Sequence, residues 1–158
     1  MNRLAAVIAV GSVALVPSAA RAQAAASRRM TWGPQVSVAF DGGDVGVGAR
    51  LQYSLSGMLG GAPISGHAEA NWFPGTVDLF DFNYSVVYDF RATSVSPYAG
   101  GGLNFTVASG GGNTSSDFHL NAVGGVVFRP MGKVTPALQL RYTFLQGDNF
   151  FATFAILF

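Results

Sequence analysis

Large apolar side chains recur at every second position along most of this chain, interrupted by clusters of Gly, Pro, Asn and Asp. A period of two with that punctuation marks strands and turns, since a helix repeats about every 3.6 residues. The first segment, residues 32–40, sets Trp32, Pro34, Val36, Val38 and Phe40 against Gly33, Gln35, Ser37 and Ala39. Beyond the turn residues 41–44, the segment 45–55 alternates Val45, Val47, Ala49, Leu51, Tyr53 and Leu55 with Gly46, Gly48, Arg50, Gln52 and Ser54. Six further segments follow at 66–73, 82–91, 98–108, 118–129, 138–144 and 150–158. The seventh is the most regular, with Leu138, Leu140, Tyr142 and Phe144 alternating with Gln139, Arg141 and Thr143. Eight strands are predicted.

Alternation alone does not say which face is inside, but side-chain size does. The polar-side residues are mostly Gly, Ser, Thr, Asn and Ala, and the other side carries nearly all the Trp, Tyr and Phe. Small residues suit the narrow interior of an eight-stranded barrel, and the aromatics would overfill it. The bulky face therefore belongs outside, against lipid. A membrane strand needs about 9–11 tilted residues, which fits eight strands and short connections in a chain of this length. An open edge in hydrocarbon would strand backbone donors and acceptors, so the sheet has to close. The fold predicted is all-β, an eight-stranded antiparallel up-and-down transmembrane β-barrel. A soluble, secreted lipocalin-like barrel that encloses a hydrophobic ligand is the alternative, and it puts Leu138, Leu140, Tyr142 and Phe144 inside.

Composition agrees with the membrane reading. Of 158 residues, 11% are charged, less than half the share in an average soluble domain, while 49% are hydrophobic. No apolar run beyond residue 30 approaches the ~18 residues of a spanning helix. The N-terminus has the order of a secretory signal: Arg3, then the uncharged apolar stretch 4–16, then Pro17 and the small-residue site Ala20-Arg21-Ala22. Residues 1–22 are expected to be removed, leaving a barrel domain of residues 23–158. The remaining chain has one more acidic than basic side chain, with no basic stripe for nucleic acid. There is no cysteine, so no disulfide supports the fold of the exported chain.

Three stretches carry a family resemblance. Residues 97–105 (PYAGGGLNF), residues 138–144 (LQLRYTF) and the terminal segment 150–158 resemble the small outer-membrane β-barrels of the OmpA and OmpX type. The resemblance implies an outer-membrane location, a monomer, and recognition of the last strand by the barrel assembly machinery through Phe154, Ile156 and Phe158. It also implies that connections after odd-numbered strands face outward. Residues 109–117 (SGGGNTSSD) are then expected as a mobile polar outer loop, and residues 91–97 and 129–136 as periplasmic turns.

Candidate chemistry converges on the lumen. Arg50, Glu69 and Arg141 fall near mid-strand on the inward face, with Gln52 and Gln139 beside them. Buried charges in a narrow interior need partners, so an ion-paired plug is expected. Its dynamic counterpart is a narrow pore in which Glu69 exchanges between Arg50 and Arg141. Asp89 with Arg91 or Arg129 is expected as a second pair. His67 and His119 are the only histidines, and both point inward by parity. No metal-ligand spacing, phosphate loop or nucleophile elbow is present. Gly100 and Gly102 lie within a strand, where they relieve crowding. The chain is accordingly expected to be neither an enzyme nor a cofactor carrier, with lipid as its surroundings and a structural role in the envelope.

Overall fold

The computed structural model describes residues 30–90, 95–128, 133–144 and 149–158. Eight strands run in chain order: β1 (Thr31–Ala39), β2 (Val45–Ser54), β3 (Ile64–Phe73), β4 (Asp78–Asp89), β5 (Val95–Gly110), β6 (Asn113–Phe128), β7 (Thr135–Phe144) and β8 (Asn149–Leu157). Each pairs antiparallel with its neighbours in sequence, and β1 pairs with β8 to close the barrel. Closure gives every strand two partners, which is what hydrocarbon demands of a sheet. Backbone bonds between Trp32 and Phe158 continue the seam past the end of β8. The rim that carries Met30 and Phe158 is called the lower rim, and the rim with connections 40–44, 74–77 and 111–112 the upper.

The alternation translates directly into inside and outside. Leu138, Leu140 and Tyr142 are 46%, 51% and 40% exposed on the outer wall, while Gln139, Arg141 and Thr143 are buried inside. That overturns the lipocalin alternative, which needs those apolar side chains enclosed. Outer-wall aromatics gather toward the two rims. Phe40 packs with Phe150 at the upper rim and Trp32 with Phe158 at the lower, as interfacial girdles do.

Some boundaries differ from expectation. Residues 109–117 do not form a mobile loop. They belong to the β5–β6 hairpin, which is paired up to Gly110 and Asn113 and turned by Gly111 (φ 59°) and Gly112 (φ 82°). Two central residues with positive φ are the type I′ arrangement, whose twist matches that of the strands. The expected turn 91–97 is shorter, because residues 95–97 already belong to β5, and residues 135–136 likewise open β7. Residues 1–29, with the expected signal, lie outside the described residues, as do Arg91 and Arg129.

Gly100 and Gly102 face inward on β5. A Cβ at Gly100 would meet Val87 Cα at 2.7 Å and one at Gly102 would meet Ser85 Cα at 2.6 Å. Any larger residue would push β4 and β5 apart, so these glycines relieve crowding between the two strands.

Candidate functional site

Parity places Arg50 on β2, Glu69 on β3, Asp81 on β4, Tyr98 on β5, and Gln139 and Arg141 on β7 inside the barrel, all buried. Arg50 and Glu69 are direct register partners, so their ion pair is a cross-strand pair at 3.0 Å. Arg50 Nη1 also donates to the Tyr98 hydroxyl (3.2 Å). Tyr98 donates to Gln139 Oε1 (3.0 Å), and Gln139 Nε2 donates to Glu69 Oε1 (2.7 Å). The result is a closed ring of four side chains from β2, β3, β5 and β7 that ties opposite walls together.

A second cluster sits closer to the upper rim. Arg141 Nη2 donates to both oxygens of Asp81 at 2.8 Å each, joining β7 to β4 across the lumen. Asn104 Nδ2 (2.7 Å) and Asn71 Nδ2 (3.2 Å) also donate to Asp81, so the carboxylate accepts from three side chains. Gln35 and Ser37 extend the network from Asn71 toward β1. The Arg141 guanidinium lies 4.4 Å from the centre of the Phe151 ring, its register partner on β8, in cation–π contact. Arg141 Nη1 is 3.8 Å from Glu69 Oε2, an ionic approach too long for a hydrogen bond.

Among the described residues, the two clusters together hold two arginines and two carboxylates. The alternation points to Glu69 as the partner of Arg141, whereas its principal partner is Asp81. The expected meeting of Arg50, Glu69 and Arg141 is present, with Glu69 held chiefly by Arg50 and Gln139. The fourth group was signalled by charge count, since two arginines and one glutamate leave an unbalanced positive charge in a buried space.

Apolar clusters lie inside the barrel on both sides of this network. Ala39, Phe73 and Phe151, with Leu79 against them, lie toward the upper rim. Val87, Tyr98, Val123 and Val127 lie toward the lower rim, beside Ala137, Ala155 and Leu157.

The remaining candidates are more scattered. Asp89, low on β4, accepts a hydrogen bond from Ser65, and its expected arginine partners lie outside the described residues. His67 lies edge-on to Tyr98, with ring centres 4.8 Å apart. His119 Nε2 faces the Thr106 hydroxyl at 3.4 Å. Among the described residues, no group of three or more His, Cys, Asp or Glu side chains is placed to hold a metal ion. Phe154 and Phe158 are exposed on the outer wall at the closing seam, and Ile156 shares their face by parity.

No family model matches the chain, and no curated protein sequence does. Solved structures do. The N-terminal β-barrel domain of Pseudomonas aeruginosa OprF superposes with a TM-score of 0.66 at 12% identity, covering 82% of this chain and 95% of that one. Ail, the attachment invasion locus protein of Yersinia pestis, gives 0.59 at 19% identity over 81% of this chain and 93% of its own. The outer membrane enzyme PagL gives 0.50 at 12% identity over 80% and 96%. The fold is that of the small eight-stranded outer-membrane barrels. It carries both enzymes and other proteins, so architecture alone does not assign an activity.

Proposed function

We propose that this chain is a monomeric integral outer-membrane barrel that contributes to envelope integrity and catalyses no reaction, its lumen being a fixed polar plug. In this reading residues 1–22 direct export and are cleaved, and the assembly machinery recognises Phe154, Ile156 and Phe158 on the last strand. The two-pronged Arg141–Asp81 bond carries the plug assignment. A gate in which Glu69 swings from Arg50 to Arg141 has to break the bonds that Arg50 and Gln139 make to Glu69 Oε1, while Asp81 fixes Arg141 through Nη2. The apolar side chains toward both rims fill lumen space beside the network, which argues the same way. The absence of catalysis rests on the histidines, which face the lumen and not the lipid that a membrane-embedded acyl hydrolase would attack.

Planar-bilayer conductance tests this. The wild-type barrel is expected to show no resolvable ion-selective current. A current in the wild type that changes selectivity in Glu69→Ala would replace the plug with the narrow pore.

A further inference from the structure

The outer wall is not uniformly convex. Across β6, β7, β8 and β1 it is indented by a groove of about 590 Å³. The groove follows two consecutive register rows. One is Gly124–Leu140–Ala152–Val38, and the row below it contains Leu138 and Phe154. Its depth comes from Gly124 and Ala152, which are small where their neighbours are Leu and Phe. The row above is aromatic, with Tyr142, Phe150 and Phe40 in succession, and the Trp32–Phe158 pair lies below at the lower rim. The groove therefore lies within the hydrocarbon band, between the two girdles.

A void in this position has no role for water, which needs polar partners. Left empty, it forfeits the dispersion contacts of every wall atom. An alkyl chain satisfies both requirements. Charge indicates which lipid supplies it. Lys133 is exposed two residues before Thr135, whose register partner is Leu157 beside the C-terminus, so a cation stands at the lower rim. Among the described residues Asp41, Asp44, Asp78 and Asp117 fall at the upper end by strand order, with no Lys or Arg beside them, and Asp89 lies at the lower end of β4, across the barrel from the groove. An anionic headgroup is favoured at the lower rim and repelled at the upper one.

We propose that the groove is a specific seat for one acyl chain of an anionic phospholipid, with its phosphate at the Lys133 end. The seat requires only that the barrel lie in lipid. Its failure would leave the conductance result untouched, and the converse also holds.

Native mass spectrometry provides the test, on barrels reconstituted with phosphatidylglycerol, phosphatidylcholine and lipid A in equal amounts and then released from detergent. One phosphatidylglycerol per wild-type barrel is expected to persist. Gly124→Leu with Ala152→Leu fills the groove and is expected to lower retention about tenfold or more, a loss of about 1.4 kcal/mol or greater. A Cβ at Gly124 meets nothing closer than the Tyr98 carbonyl oxygen at 3.8 Å, so that substitution fits the backbone. Lys133→Gln is expected to keep one lipid while erasing the preference for phosphatidylglycerol. Retention of no lipid by the wild type, preferential retention of lipid A, a barrel dimer in place of a lipid adduct, or equal retention by the filled variant would each overturn the proposal. The wild-type measurement decides by itself if the filled variant does not fold.

Discussion

Arginines from β2 and β7 enter the described part of the lumen, and each is answered by a carboxylate from β3 or β4. The set is neutral as a whole but not when any one member is missing. Removing a partner from a buried pair leaves an uncompensated charge, at a cost of about 3–5 kcal/mol, whereas replacing both partners with apolar groups is often nearly neutral. Asp81→Ala is therefore expected to lower stability by about that amount, and Asp81→Leu combined with Arg141→Met by much less. Urea titration in micelles, read by the gel shift between folded and heated forms, measures both variants. Equal losses in the single and double variants would mean that the pair contributes through shape, not charge.

At the scale of strands, the legible and illegible parts of the sequence divide for a physical reason. Where one face meets lipid and the other the lumen, alternation is enforced, and β1, β2, β7 and β8 follow it closely. Residues 109–117 show no apolar period because most of them, in the upper part of the β5–β6 hairpin, are exposed on both faces, so nothing selects one side. Asp81 was hidden for a different reason. Leu79 points inward against the cluster of Phe73, Phe151 and Ala39, and an apolar residue on the polar side blurs the start of β4 just above Asp81. Tyr98 was passed over likewise, as an aromatic on the face otherwise given to small residues. Its ring covers inward-facing Gly125, where a Cβ would meet the tyrosine hydroxyl at 2.5 Å. Such pairings are set by cross-strand register, which a single segment does not reveal. The β4–β5 junction offers a direct check. Gly102→Val is expected to abolish the folded, heat-modifiable form, and Gly124→Ala on the outer face of β6, where a Cβ meets nothing closer than 3.8 Å, to retain it. A folded Gly102→Val barrel would show that the two strands can separate without loss.

Taken whole, the molecule inverts the arrangement of a soluble domain. Its polar network is the interior and its hydrocarbon is the surface, with Leu103 on β5 58% exposed to the surroundings. An arginine on the lipid face near mid-membrane costs about 2–4 kcal/mol. Leu103→Arg is expected to lose an amount in that range in lipid vesicles, measured by the same urea titration. A neutral effect would place Leu103 near an interface. Location, strand number and inside–outside sense were therefore open to sequence reasoning, whereas the identity of the closed ring Arg50–Tyr98–Gln139–Glu69 needed the register of four strands.

That ring also constrains the order of events in assembly. Its members come from β2, β3, β5 and β7, and the second bridge spans β4 and β7, so neither is complete until β7 has arrived. Before then the half-built sheet is an open trough lined with ionised groups, which hydrocarbon would penalise heavily. The trough has to stay wet until the seventh strand is in place, so its charges are buried late, as the barrel closes. A barrel braced in this way has little use for partly open forms, because loss of one strand releases the braces on several others.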